Sequence, residues 1–555
     1  MSIVRMRKNM QSWAKYVMLG LAAIFAVGII GIGIGSGRYQ GERGDTAGLV
    51  AKVNGEKLDR KTFEPRFEKR VEEMEKTRML SALEGAQLRG QVFDDMVDQM
   101  LRVQAAREEG LKASRREVKM KTNELIEDQI KQLREQLLAG YKGKKTEQAF
   151  ENELKRNNLS LAKIKTDIRK GIDRDLVRQY ILIEKLLEKL KSGVDASDKA
   201  LRESYEEVRM RQITVSSRKR SEIQAEQRAR ELAQKLRKGA DFASFAKEYS
   251  DDPYRGAGGD RGYFLRRAYM ESELASAAFK LKPGEISDPV KMPQGYVIVK
   301  VEERRSSLPP DFNDPNKRKG YREAYLAQEQ FRTQSKYFSD LRRNAKISVY
   351  DAELKGYLQV KELSTMLGTA SPAELKAKAE QAIKEYQRAA MAGDAATQVT
   401  ARAYAQIAYL YDWLRRPGPA SPSKDEQAKY LTEAKKALQS ALDYSESNDL
   451  RMMVADINIE EGEYDKALEQ LEIMSENAFE DYEAHRQVLS RYERMKGIVK
   501  GSGLSRITDL IAQEREWIAD YEKRAREQQA GQTGVPLEVA PEPQKPSGSE
   551  KGSGE

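Results

Sequence analysis

A chain of 555 residues, 34% charged and 39% hydrophobic, holds enough apolar side chains for three or four packed domains. Its 98 basic residues face 88 acidic ones, so most charge is interspersed on solvated faces, and the net +10 is only a modest bias toward anionic membrane surfaces or acidic partners. The absence of cysteine excludes disulfides, thiolate metal sites and a lipid-modified N-terminal cysteine, and no other metal spacing or phosphate loop stands out, so neither metal nor cofactor is expected.

The first element is an uncharged run of nineteen residues, 17–35, preceded by Arg5, Arg7, Lys8 and Lys15 with no acidic residue. That length crosses a hydrocarbon core of about 30 Å, and the basic flank holds the N-terminus in the cytoplasm. The expectation is a basic cytoplasmic tail over 1–15 and a single transmembrane anchor over 16–36 in the inner (cytoplasmic) membrane, with the bulk of the chain in a periplasm or other extracytoplasmic space. A cleaved signal peptide is the competing reading. The length of the run and the lack of an Ala-x-Ala site in IGIGSGRYQG stand against it. A chain exported in this way meets no nucleic acid.

Leu49, Ala51 and Val53 then alternate into Asn54-Gly55, a strong hairpin pair, and Asp59 is placed to cap a helix. Up to about residue 191 the pattern is helical, with one apolar stripe through Phe93, Met96, Val97 and Met100 and another through Leu176, Tyr180, Ile183 and Leu187. Between 209 and 305 it changes to a small α+β unit. Ile213 and Val215 alternate as in a strand, Ala225, Ala229, Leu232 and Leu236 recur at helical spacing, Asp241 caps a second helix, and 296–301 is apolar on both faces, as a central strand is. A Pro-rich linker at 306–317 precedes a helix from about 318, with Tyr325, Leu326, Phe331 and Phe338 at helical spacing, and then Ile347-Ser348-Val349. From 371 to about 525 helices follow one another, with Gly462 at a tight turn, and Ala455 and Leu489 stand 34 residues apart. Residues 528–555 are too poor in apolar side chains to fold.

The order MRQITVSS, helix, GADFASFAKEYSDDP, GAGGDRGYF, KPGEISDPV and QGYVIVKV over 209–305 resembles a parvulin-type (PpiC-type) prolyl isomerase domain. Such a catalyst breaks no bond. It lowers a rotation barrier of roughly 20 kcal/mol by holding a twisted peptide in a partly dry pocket, without metal or cofactor. The resemblance implies an apolar proline cradle, an Asp or Cys after the second helix, and histidines on the first and last strands. Carried over, the carboxylate is Asp252 and the cradle is Phe264, Met270 and Leu274. Gln212 stands at the first histidine position and Val297 at the second, and Arg261 replaces the usual Leu of a GDLG loop. The only histidine, His485, is far outside this unit. Gln212 can donate and accept hydrogen bonds but cannot change charge near neutral pH. Asp252 before Pro253 also reads as a turn residue, and the three apolar positions as ordinary core.

AKVNGEKLDRKTF, VFDDMVDQMLRVQAAREEGLKAS and NNLSLAKIKTDIRKGI resemble the N-terminal chaperone domain of the SurA and PpiD group over 49–205, a lobe that the helix at 318–349 completes in that group. GEYDKALEQLEIM resembles the middle of a tetratricopeptide repeat, with an irregular α-hairpin bundle as the alternative for 371–525. The whole is expected to be mainly α with one α+β domain: transmembrane helix, helical SurA-N-like lobe, parvulin-like insert and TPR-like repeats. The resemblance to membrane-anchored foldases of the PpiD type implies a chaperone that binds unfolded or nascent exported polypeptides at the membrane, beside the secretion translocon. Two alternatives are an active peptidyl-prolyl isomerase and an envelope scaffold acting through its repeats.

Overall fold

The structure, a computed structural model, describes residues 48–76, 80–139, 146–218, 220–266, 272–392, 397–479 and 481–533. The expected tail and anchor, Met270 and residues 534–555 lie outside the described residues, and among those described no helix is long and apolar enough to cross a membrane. The chain forms two compact units. The first takes the chain up to Phe67, Gln91–Tyr350 and Ser364–Leu375; the second takes Glu68–Gly90, Asp351–Leu363 and the chain from Lys376 onward.

In the first unit, β1 (Leu49–Val53) turns at Asn54 and Gly55, with φ of 50° and 88°, into β2 (Glu56–Asp59). A two-residue hairpin loop needs positive φ at both positions, which Asn-Gly supplies at low cost. Asp59 is the last residue of β2, paired with Leu49, and the helix starts one residue later. The helices α1 (Arg60–Glu75) and α2 (Ala82–Glu108), whose stretch Glu68–Gly90 belongs to the second unit, and then α3 (Arg115–Leu137), α4 (Glu147–Arg156), α5 (Leu161–Gly171) and α6 (Arg174–Ser192) follow. Ser114 and Glu117 form a capping box that starts α3, and Asp173 caps α6. Ile126 and Ile130 of α3, Phe150 of α4, Ile168 of α5 and Val177 of α6 close one core.

A short helix, α7 (Asp198–Glu203), leads into the α+β unit: β3 (Glu206–Ser216), α8 (Glu222–Arg237), α9 (Phe242–Tyr249), a 3₁₀ turn over Pro253–Ala257, β4 (Asp260–Leu265), α10 (Ser272–Lys280), β5 (Val290–Met292) and β6 (Gly295–Ser306). The strands are antiparallel in the order β4-β3-β6-β5, so the strand that is apolar on both sides is internal. Strand alternation divides the core. Ile213, Val215 and Ile298 face Ala225, Ala229 and Leu236 of α8, whereas Met210, Val297, Val299 and Val301 face Leu274, Ala278 and Phe279 of α10. The chain leaves through α11 (Pro315–Asn344) to β7 (Ile347–Val349), which pairs with β1 and completes a second sheet in the order β2-β1-β7. Tyr337, Phe338 and Leu341 of α11 pack on Val103, Ala106, Leu182 and Leu186. Phe331, on the same expected stripe, is 73% exposed.

The next helices are α12 (Ala352–Met366), α13 (Pro372–Met391), α14 (Thr397–Arg415), α15 (Lys424–Leu442), α16 (Asn448–Glu461), α17 (Tyr464–Ala478), α18 (Tyr482–Lys496) and α19 (Ser502–Thr533). In the second unit α14 packs on α15, α16 on α17, and α18 on α19. Gly462 ends α16 at φ 78°, the left-handed conformation that a tight helix-to-helix turn requires. Ala455, Leu468, Leu471, Val488, Tyr492 and Ile507 form the core of the last four helices. Helix α19 continues through Gln528 to Thr533, past the point where composition argued against folding.

The second unit also buries an ionic cluster. Arg89 donates to Asp351 at 3.1 Å and lies 3.1 Å from Glu353, while Arg402 makes two bonds to Glu353 at 2.7 and 3.0 Å. All four side chains are buried. Removing one partner leaves an uncompensated buried charge, so Glu353→Ala is expected to destabilise the full chain by about 3–5 kcal/mol. Glu463→Ala, which breaks only the exposed pair with Lys466, should change stability by about 0.5 kcal/mol or less. Thermal unfolding of the two variants checks the contrast.

A second contrast tests the insert. Gly259 has φ 78°, and a Cβ there would lie 2.3 Å from the carbonyl oxygen of Gln212; Gly262 has φ 73° with nothing within 4 Å. Gly259→Ala should therefore cost about 3 kcal/mol or more, and Gly262→Ala about 1 kcal/mol, the conformational part alone. Hydrogen exchange of the β3 amides in the full chain reads the difference.

Candidate functional site

The site is built on the face of β3 that carries Met210, Gln212 and Thr214. Two residues separate side chains on one face of a strand, so Gln212 and Thr214 lie side by side. Their registered partners on β6 are Val299 and Val297. The segment after α9 is laid along β3 by three bonds and steadied by a fourth from Arg220. The Thr214 N–H donates to Ser250 Oγ at 3.0 Å, the Asp251 N–H to the Thr214 carbonyl at 2.8 Å, and the Ser216 N–H to Asp251 Oδ2 at 3.0 Å, where Arg220 also donates at 2.7 Å. This clasp brings Asp252 over the strand.

Asp252 uses its two carboxylate oxygens for different contacts. Oδ1 accepts from the Tyr254 N–H at 2.9 Å and so caps the 3₁₀ turn that starts at Pro253. Oδ2 accepts from Gln212 Nε2 at 2.8 Å and from Thr214 Oγ1 at 2.7 Å. Arg261 donates from Nη1 to Gln212 Oε1 at 2.8 Å, and its guanidinium lies 4.8 Å from the Tyr254 ring centre and 4.9 Å from that of Phe264. An Arg–Gln–Asp chain therefore runs across the floor, with the buried amide of Gln212 oriented by a donor on one side and an acceptor on the other. Charge is fixed nearby as well: a hydrogen bond from Arg209 holds the Asp260 carboxyl below its usual range.

The sequence-predicted residues divide into three groups. Gln212 and Asp252 are in direct contact, and Arg261 joins them. Val297, opposite Thr214, is buried in the α10-side core, and Leu274, 1% exposed, is in that core too. Phe264 is half-buried at its edge, and Met270 is not among the described residues. Thr214 and Ser250 were missed. Thr214 could have been found from strand alternation, two positions after Gln212; Ser250 carried no signal of its own. Gln212, Thr214, Asp252 and Arg261 are hydrogen-bonded to one another, and no imidazole is present in this unit to change charge.

A parvulin-type domain set into a helical lobe defines a class of folding factors, and comparison with known proteins agrees. Residues 208–303 match the family described as PPIC-type PPIASE domain, and residues 3–179 match the SurA-like N-terminal domain. The foldase protein PrsA of Caldanaerobacter subterraneus subsp. tengcongensis is 30% identical over 304 residues, covering 52% of this chain and 82% of that protein. PrsA of Bacillus subtilis is 32% identical over 181 residues, covering 32% of this chain and 59% of that relative's length. Among solved structures, a PpiC-type peptidyl-prolyl cis-trans isomerase domain shares 27% identity at a TM-score of 0.18, covering 19% of this chain and 95% of its own. PrsA from Bacillus anthracis shares 27% at a TM-score of 0.20, covering 43% and 93%. The chain belongs to the PpiC/SurA-type foldase family that includes the PrsA proteins.

If Leu274 is core, as its burial indicates, Leu274→Ala should cost about 2–5 kcal/mol, the range for truncating a buried leucine. A shift of the unfolding midpoint corresponding to less than about 1 kcal/mol would mean that the side chain serves a solvent-facing cradle instead.

Proposed function

We propose that this protein is a membrane-anchored extracytoplasmic chaperone that holds unfolded, exported polypeptides, and that its parvulin-type domain has weak or lost isomerase activity. The observation that carries this reading is the bonding of Gln212. Where the resemblance implies a titratable imidazole, there is an amide committed to Asp252 on one side and Arg261 on the other. Val297, at the other histidine position, is buried aliphatic core. The Arg261 guanidinium also lies against Phe264, so a cation occupies ground that an apolar proline cradle needs.

The apolar run at 17–35 with its basic flank supports a PpiD-like anchoring, with the N-terminus in the cytoplasm and the lobe outside. Successive helix pairs in the second unit support TPR-like repeats as a docking element for the secretion translocon. Unfolded polypeptide is the client class that membership among foldases suggests. One observation favours a second reading, an active isomerase relying on Asp252: that carboxylate accepts hydrogen bonds from Gln212 and Thr214 of β3.

A protease-coupled proline-peptide assay on the detergent-solubilised full chain separates the two readings. The expected result is kcat/KM well below about 10⁴ M⁻¹s⁻¹, the lower end for ordinary enzymes, together with suppression of client aggregation. Turnover at or above that value would establish the active isomerase.

A further inference from the structure

The core of the last four helices does not use all of their aromatic side chains. Its members in α18 and α19 include Val488, Tyr492, Ile507 and Ile511. Beyond Ile511 the two helices meet through a ladder of rings: His485 stacks on Trp517 with centres 3.6 Å apart, Trp517 on Tyr521 at 5.4 Å, and Tyr521 on Tyr482 at 5.2 Å. The inner end is pinned by Glu514, which lies 2.7 Å from His485 Nδ1, and the outer end by the Tyr482 hydroxyl, which donates to Glu522 at 2.6 Å. His485 is buried, but Trp517, Tyr521 and Tyr482 are each partly open to water. Phe479 stands at the head of the ladder, in the turn before α18. Its carbonyl oxygen lies 3.4 Å from His485 Nε2, its φ is 45°, and its side chain is 82% exposed. A phenylalanine held at positive φ with its ring in water is doubly unfavourable, and the packing of the helices does not explain it.

Shape, charge and chain connectivity say what fits. Trp517, Tyr521 and Arg524 fall within about 60° of one another around α19, so the open rings and the Arg524 guanidinium, 5.9 Å from the Tyr521 ring centre, share a face. Arg524 pairs with Asp520, and Glu522 with Arg526. Arg486, 5.8 Å from the Tyr482 ring centre, is exposed and makes no ion pair among the described residues. Helix α19 ends at Thr533, and the chain continues as GVPLEVAPEPQKPSGSEKGSGE. Four of the chain's sixteen prolines, Pro536, Pro541, Pro543 and Pro546, stand within eleven residues there. The segment carries four Glu against two Lys, and Glu542 lies between Pro541 and Pro543. Proline-rich chain docks on aromatic rings because its extended form has little conformational freedom left to lose. From Tyr521 to Thr533 the helix rises about 18 Å, which about six residues of such chain cover at about 3.1 Å each. A chain that reverses at Gly534 therefore brings Pro541-Glu542-Pro543 back to the ladder, with Glu542 within reach of Arg486.

We propose that the ring ladder between α18 and α19 is a binding site for proline-rich chain, and that its occupant is the protein's own segment 535–546, docked in cis. Phe479, Tyr482, Trp517 and Tyr521 hold the proline rings, and Arg486 takes Glu542. The tether supplies an effective concentration on the order of millimolar, so an intrinsic affinity of about 1 mM keeps the segment about half docked. The proposal is independent of the chaperone reading above.

The test uses the full chain in detergent. Because the chain has no cysteine, Gln544→Cys or Ser553→Cys gives a single attachment point for a bimane fluorophore, which tryptophan quenches on contact. Emission at 544 should be about half that at 553, the docked fraction expected above. Trp517→Phe should restore it, which identifies the quencher among the three tryptophans. Pro541→Ser combined with Pro543→Ser, and separately Phe479→Ser, should restore it with Trp517 in place and an unchanged unfolding midpoint. Arg486→Glu should restore most of it, and Glu542→Arg added to Arg486→Glu should bring the quenching back. Equal emission at 544 and 553, or quenching at 544 that Phe479→Ser and the proline pair leave unchanged, would overturn the proposal. So would quenching that strengthens as protein concentration rises, since this assigns the segment to a second copy. An unquenched label at 544 together with binding of an added polyproline peptide that Phe479→Ser weakens would overturn it too, since this gives the ladder to other chains.

Discussion

The pairing of β3 with β6 is the constraint on which the first unit depends. It runs from Glu206 opposite Ser306 to Ser216 opposite Gly295, so the inserted domain leaves the lobe and returns to it at one point. There the Ser307 N–H and Oγ both donate to the Tyr205 carbonyl at 2.9 Å, and the rings of Tyr205, Phe312 and Tyr321 close over the junction. Glu206 adds an ionic lock. Burial pushes its carboxyl up, but hydrogen bonds from Arg266 and Arg304 outweigh that and hold it below its usual range. Because the two ends of the insert are joined, α11 can start beside the lobe and deliver β7 to β1, strands nearly 300 residues apart in the chain. A lobe made from distant segments is thereby compatible with an independently cored domain between them.

The same strand pair sets the chemistry. Alternation places Gln212 and Thr214 on one face and gives the opposite face to the α8 core, so the polar pair can be presented to a ligand only on the side where α10 packs. On that side the neighbouring positions are Met210, Val297, Val299 and Val301, which are core. A catalytic imidazole on β6 would have to occupy the place of Val297, one of the side chains that holds α10 down. Function and packing therefore compete at that position, and here packing has the residue. The polar residues that remain are satisfied among themselves, which favours a rigid arrangement over a proton-responsive one.

Much of this could be read in the chain before folding, for identifiable reasons. Asn54-Gly55 gave its hairpin because only a few residue types tolerate two consecutive positive φ values. The double-sided apolar run at 296–301 gave an internal strand, and the stripe from Ala225 to Leu236 gave the helix over it. Resemblance to a family named Gln212 and Asp252 as site positions but not the bond between them, which spacing could not give either, since forty residues separate the two. The Arg261 bond to Gln212 was not legible, because an arginine in a Gly-rich loop looks like any solvated cation. Arg89 was less so: it lies in a helical pattern, and its partner Asp351 is 262 positions away. Nor could spacing tell that Phe338 would be covered and Phe331 would not; both satisfy the same helical period, and only the end of α2 and α6 distinguishes them.

The distribution of polar satisfaction through the molecule bears on what it can hold. In the insert, Asp252 and Gln212 find protein partners; in the second unit the buried arginines Arg89 and Arg402 find carboxylates. Cores closed in this way give stability but little to offer an unfolded chain, whose own amides and apolar groups need open partners. A protein that binds many sequences weakly has to keep its adhesive surface outside those cores, on an element secured elsewhere. Helix α11 is secured in that sense, since clusters at both of its ends anchor it. Exposure of Phe331 is then tolerable, because the helix does not rely on that side chain for its position.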